Sequence, residues 1–116
     1  MEQILKVLKN DKNNDLAVKL KEEGNKLFVT GKFRASLEKY NQALSLADQK
    51  NEKNIFSVLL GNRSAALFNL KEYKLCLEDI ETALKSNYPG HLELKLLERR
   101  AKCFCLLGDK KFIREG

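Results

Sequence analysis

Lys21 and Asn25 stand four residues apart in a helical pattern, so they share one helix face. A lysine brings a charge with three N–H donors, and an asparagine brings an oriented amide. Such a pair is equipped for recognition rather than for bond-making. Between them lies Gly24. Glycine inside a helix costs about 1 kcal/mol against alanine, so the position implies another helix pressed close. A small residue for close packing, beside a polar pair aimed sideways, suggests a helical repeat with a binding groove.

Other groupings offer less. Cys103 and Cys105 are two apart on a helix, about 200° around the axis, so they do not readily share a tetrahedral metal. His91 is the single histidine. No metal or other cofactor is expected, and packing is the role expected for Cys76, Cys103 and Cys105. No glycine-rich phosphate loop follows a strand, and no Ser/His/Asp set stands out. Arg99-Arg100 and Lys110-Lys111 are basic, but no aromatic platform interleaves with them, so nucleic acid is not an expected partner. Asn62-Arg63-Ser64 has the form of a glycosylation acceptor, but inside a helix of a cytosolic chain it is not read as one.

The elements that position these residues follow from composition and periodicity. The chain has 116 residues, 43% hydrophobic and 33% charged, with one proline and six glycines. This fits one all-α domain with a modest core. The formal net charge is +6, from 22 basic and 16 acidic residues, which favours acidic partners in general. No apolar run approaches the length of a membrane span, so no membrane association is expected. Residues 1–10 are too short and too charged for a secretory signal. Three cysteines make no disulfide framework, which points to a reducing compartment, the cytoplasm or the nucleus.

Residues 1–8 read as a short amphipathic helix and 10–15 as a polar, turn-prone linker, with Asn14 or Asp15 capping the next helix. Helices are expected over 16–30, stopped by Gly31; over 33–47; over 55–70, after a charged loop at 48–54; over 73–86; and over 91–107, ended by Gly108. Asn87-Tyr88-Pro89-Gly90 is a clear break. Phe33, Leu37, Tyr40 and Leu44 share the helical spacing of Tyr73, Leu77, Ile80 and Leu84.

An internal repeat emerges on overlay. A shift of 40 carries Leu20, Gly24, Leu27 and Phe28 onto Leu60, Ser64, Leu67 and Phe68. It carries Ser36, Tyr40 and Ala43 onto Cys76, Ile80 and Ala83. A shift of 37 continues from Leu60, Ser64 and Leu67 to Leu97, Ala101 and Phe104. One register over both helices of a pair indicates a helix–turn–helix repeat.

The chain resembles a tetratricopeptide repeat (TPR) domain, whose unit is about 34 residues. The resemblance covers residues 16–108. It implies a solenoid of antiparallel helix pairs, about two and a half repeats long. The expected organisation is an N-terminal extension at 1–15 and a TPR domain at 16–116, with repeats at 16–48 and 54–88 and a partial one at 91–116. The aromatic common early in the first helix is replaced by Leu20, Leu60 and Leu97, and the usual alanine of the second helix by Ser36 and Cys76.

One TPR subset, similar to the co-chaperones of Hsp70 and Hsp90, carries a two-carboxylate clamp, and its pattern is matched here. Lys21 and Asn25 match the first helix, and Asn62, inside Asn62-Arg63-Ser64-Ala65-Ala66, the second. Lys95 and Arg99, inside Lys95-Leu96-Leu97-Glu98-Arg99, match the third. The resemblance implies that these five grip the acidic C-terminus of an Hsp90 or Hsp70 peptide; the alternative is a TPR scaffold for some other, internal peptide, which needs no clamp. Phe28, Ala65 and Phe68 would line the groove for apolar side chains upstream. The heads of Lys95 and Arg99 are expected to point into solvent, with little bearing on folding.

The segment 87–103, opening Asn87-Tyr88-Pro89-Gly90-His91, resembles the N-terminal TPR region of the SET and MYND domain family of protein-lysine methyltransferases. The resemblance implies a catalytic parent, while this chain alone is read as non-enzymatic. Residues 110–116 are read as only the start of a further helix, the partner of 91–107. By the repeat register Leu97 and Phe104 face either that missing helix or the preceding pair, with Leu107 close by. The chain is therefore expected to be a monomer or a piece of a longer one.

Overall fold

A computed structural model of the chain describes residues 2–47 and 53–115, with side-chain detail for 14–47 and 55–108. Five helices follow one another: α1 (Glu2–Val29), α2 (Phe33–Leu46), α3 (Lys53–Asn69), α4 (Tyr73–Lys85) and α5 (Glu93–Glu115). A 3-10 turn, Gly90–Leu92, leads into α5. No strand occurs among the described residues. Each helix packs antiparallel on the next, and α3 also touches both α1 and α5, so the odd-numbered helices form one layer. This is the expected all-α solenoid.

The turns inside the two pairs are built alike. Gly31 is left-handed at φ +82°, and Lys71, its counterpart 40 residues on, takes φ +64°. In the first turn Lys32 N donates to Leu27 O and Gly31 N to Phe28 O, both at 2.9 Å. In the second, Glu72 N donates to Leu67 O at 2.9 Å and Lys71 N to Phe68 O at 3.0 Å. These are Schellman closures, which satisfy the orphan carbonyls of a helix end. Gly31 is therefore the helix stop that the sequence implies.

Two of the expected boundaries are corrected. α1 runs unbroken through 10–15, where a linker was expected, and Asn14 lies inside the helix instead of capping it. Residues 1–23 contain no proline or glycine. Asn, Asp and Lys each cost less than about 0.7 kcal/mol against alanine, too little to stop a helix that packs. Asn14 and Ala17 are indeed buried. Gly108 likewise ends nothing: α5 continues to Glu115, across the stretch expected to begin a sixth helix. A lone glycine ends a helix when it turns left-handed, as Gly31 does and Gly108 does not. The loop expected at 48–54 falls at 48–52 outside the described residues, and α3 already begins at Lys53.

Two apolar clusters hold the layers. Ala17, Tyr40, Ala43, Leu59 and Ala66 join α1, α2 and α3. Leu60, Leu67, Cys76, Ile80, Ala83, Leu96 and Cys103 join α3, α4 and α5. Close approach at Gly24 is real: a Cβ there would sit 2.6 Å from the Tyr40 ring. Ser36 Oγ donates to Gly24 O at 2.8 Å, tying α2 to α1 at that point.

On α5 the inward residues are Leu96 and Cys103, both fully buried. Shifted by 37, they match the buried Leu59 and Ala66 of α3. The α3 residues Ser57, Leu60, Ser64 and Leu67 are buried too. Their α5 counterparts Leu94, Ala101 and Phe104 are exposed and Leu97 is half-buried. Of the two sides open in the sequence reading, Leu97 and Phe104 therefore face away from the preceding pair. Cys105 is also exposed, so it does not pack as expected, whereas Cys76 and Cys103 do.

Candidate peptide-binding groove

The odd-numbered helices present their free faces side by side. Lys21, Asn25 and Phe28 are at i, i+4 and i+7 on α1. Asn62, Ala65 and Phe68 follow helical spacing on α3, and Lys95, Arg99 and Lys102 on α5. Contact of α3 with both α1 and α5 brings the three faces together.

A cleft of about 330 Å³ opens between them, lined by Phe28, Ala65, Phe68, Asn69, Lys95, Glu98, Arg99 and Lys102. Five of the residues singled out from the sequence therefore meet in one place. Its wall carries three cations and one carboxylate, so the local field favours an anion. Phe28 and Phe68 serve two ends. Each stacks edge-on against the first aromatic of the following helix, Phe28 on Phe33 at 5.2 Å and Phe68 on Tyr73 at 5.5 Å. Each also turns part of its ring to the cleft.

Asn25 and Asn62 are joined directly. Asn62 Nδ2 donates to Asn25 Oδ1 at 3.1 Å, and Tyr40 Oη donates to the same oxygen. Lys21 is half-buried, one turn before Asn25, and Lys21, Asn25 and Asn62 all lie outside the cleft lining. Among the described residues neither Lys21 nor Lys95 forms an ion pair.

Arg99 departs from expectation. Its head does not simply point into solvent: Nη1 donates to Ser64 Oγ at 3.0 Å and to Gly61 O at 3.4 Å. Nε and Nη2 have no partner among the described residues. The guanidinium thus braces α5 on α3 with one nitrogen, and its other N–H groups remain as donors. Tyr88, from the connector after α4, covers Gly61, where a Cβ would lie 2.9 Å from its ring.

Sequence reasoning passed over several participants. Asn69 and Lys102 lie seven residues after Asn62 and Lys95, two turns along the same face, and that spacing would have found them. Ser64 and Tyr40 read as a small spacer and a core aromatic; nothing local announces their polar tips as anchors. Arg63 holds Asp79 through Nε–Oδ2 at 2.8 Å and Nη2–Oδ1 at 2.7 Å, and donates to Asn41 at 3.0 Å. Burial raises the Asp79 carboxyl above its ordinary range, and Arg63 pulls it partly back. Arg63 lies outside the groove's lining and serves the α3–α4 contact.

Comparison with known proteins agrees with this architecture. The chain is 37% identical over 97 residues to protein-lysine N-methyltransferase SMYD4 of Pongo abelii, covering 84% of this chain and 12% of that one. It is 34% identical over 105 residues to the SMYD4 of Mus musculus, covering 90% and 13%. It is 37% identical over 98 residues to mitochondrial import receptor subunit TOM70 of Homo sapiens, covering 84% and 15%. The fold is a TPR-type solenoid. No protein-family model matches the chain. The TPR chain spans between 12% and 15% of the length of these relatives. With helical pairs and an open groove, it is a protein-interaction module. No helix among the described residues is long and apolar enough to cross a membrane.

Proposed function

We propose that the groove binds the acidic C-terminus of a partner protein, with Lys21, Asn25, Asn62, Lys95 and Arg99 as a two-carboxylate clamp. What supports the reading is the joint placement of Lys95 and Arg99 with Phe28, Ala65 and Phe68 around one cleft. A peptide ending in Asp offers two carboxylates, its side chain and its terminus. Charge-assisted hydrogen bonds from lysine and arginine are the strong kind, and capture of a terminal carboxylate is a known recognition mode. The apolar wall suits the residues upstream. Tails of the Hsp90 and Hsp70 type have this chemistry and are the proposed ligands. The proposed location is the cytoplasm, with the nucleus as the alternative.

Calorimetry with a free-acid peptide ending in Asp and its C-terminally amidated twin tests the reading. The free acid should bind more tightly, and its affinity should fall with added salt, since charges at an open groove are screened. Equal binding of the two peptides would remove the clamp.

The identity with the SMYD4 proteins favours a second, compatible reading: the module recruits partners to a protein-lysine methyltransferase. Lys95→Ala in the full-length protein should then lower methylation of a chaperone-delivered substrate but not of a free peptide. Equal loss on both would place Lys95 outside recruitment.

A further inference from the structure

We propose that Cys76 and Cys103 form an oxidation-sensitive pair whose disulfide fastens α5 to α4. Their sulfur atoms are 3.4 Å apart, both residues are fully buried, and both thiols are free. A disulfide bond is about 2.0 Å long, so closing the pair takes an approach of about 1.4 Å. Leu60, Leu67, Ile80, Ala83 and Leu96 share their cluster, and the charge of Arg99 reaches both thiols while that of Asp79 reaches Cys76.

The repeat sharpens the point. At the junction of α2 with α3 the counterparts of Cys76 and Cys103 are Ser36 and Ala66, by shifts of 40 and 37. Small residues are needed at both junctions, but only the second carries two thiols in contact. Burial raises both thiols above their ordinary range, so the resting pair is poorly nucleophilic. Among the described residues α5 packs on α4 and α3, and its Leu94, Ala101 and Phe104 are exposed. Lifting of α5 is therefore the motion that admits an oxidant.

With hydrogen peroxide the balance is simple. One thiolate attacks a peroxide oxygen; the S–O bond forms, the O–O bond breaks, and the thiol proton leaves in a water molecule. The second sulfur then attacks the sulfenic sulfur; the S–S bond forms, the S–O bond breaks, and a second water departs. Two thiols are oxidised and one peroxide is reduced. Lys95 and Arg99 ride on α5, so the disulfide would also hold the groove's cations; that consequence rests on the groove reading, while the thiol chemistry does not.

The test uses the chain carrying Cys105→Ser, which removes the exposed thiol. After stoichiometric peroxide, non-reducing peptide mapping should give a loss of two hydrogen masses and one cross-linked peptide holding Cys76 and Cys103. The melting temperature should rise by several degrees, because the bond closes a loop between two helices, and reductant should reverse the rise. Oxygen added at either cysteine without a cross-link would overturn the proposal. So would no change at peroxide levels that oxidise Cys105 in the unmodified chain, or a cross-link that leaves the melting temperature where it was.

Discussion

Tyr40 on α2 donates its hydroxyl hydrogen to Asn25 Oδ1 on α1, across 2.5 Å. The same oxygen takes Asn62 Nδ2, so its two lone pairs are spent, which fixes the direction of the Asn25 amide hydrogens. Tyr40→Phe keeps the ring packed on Gly24 and removes only the anchor. We expect a stability loss of about 1 kcal/mol and a several-fold weaker grip on an Asp-terminated peptide, read by urea unfolding and calorimetry. Unchanged peptide affinity would show that Asn25 needs no orienting.

Lys95 and Arg99 should separate by their effect on folding. Each truncation to alanine should cost about 1.5–3 kcal/mol of peptide binding. Lys95 is exposed and unpaired among the described residues, so Lys95→Ala should leave unfolding within about 0.5 kcal/mol of wild type. Arg99→Ala also removes the bonds to Ser64 and Gly61, and should cost about 1–2 kcal/mol of stability without any peptide present. Identical urea midpoints for the two variants would refute the brace.

Two glycines make opposite cases. Gly24→Ala gains helix propensity, but its methyl would meet the Tyr40 ring at 2.6–2.8 Å. Overpacking of that kind costs about 1–3 kcal/mol, so the net effect should be destabilising. Gly108 is helical with nothing within 4 Å of its would-be Cβ. Gly108→Ala should stabilise by up to about 1 kcal/mol. Thermal melts of the two variants decide the matter, and the same sign for both would contradict the contact geometry.

Lys71 holds the left-handed position that Gly31 holds in the other turn. A side chain there costs about 1–2 kcal/mol, offset in part by the greater freedom of unfolded glycine. Lys71→Gly should therefore raise stability by about 0.5–1 kcal/mol in urea; a loss would mean that the lysine side chain contributes more than its backbone strain costs.

Asp79 bears on pH. Burial is the larger influence and raises its carboxyl, while Arg63 opposes it. An acid raised above its unfolded value of about 3.9 holds its proton more tightly when folded. Its contribution then grows as pH falls through the folded value, so acid unfolding should not start at this pair. Asp79→Ala should cost about 2–3 kcal/mol near neutrality, less than the 3–5 of a fully buried pair, because the Arg63 side chain keeps 28% exposure. The gap between wild type and variant should not shrink from about pH 7 to about pH 5. A shrinking gap would mean that the guanidinium outweighs burial.

The repeat was legible because its register is carried by residue size and polarity, which a linear overlay preserves. Gly24 announced the close approach that Tyr40 makes. Phe28, Ala65, Phe68, Lys95 and Arg99 were grouped by the resemblance to clamp-bearing TPR domains, and these five line one cleft. What escaped depends on direction in space. The bonds of Arg99 to Ser64 and of Tyr40 to Asn25 join residues 35 and 15 positions apart, and no local pattern encodes them. Gly108 and the polar run at 10–15 were misread because propensity was weighed without the packing that overrides it.

Tyr88 has one more consequence. Its ring closes over Gly61, so the connector between α4 and α5 is anchored to α3. Connectors are ordinarily where chain length drifts. Here the distance is gauged: the unit shortens from 40 to 37 residues, yet Leu59 and Ala66 still match Leu96 and Cys103 in burial. An extra residue beside Tyr88 would either lift the ring from Gly61 or turn α5 about its axis. This junction has no slack, and the spacing of the groove's last two helices is set by a residue outside the groove.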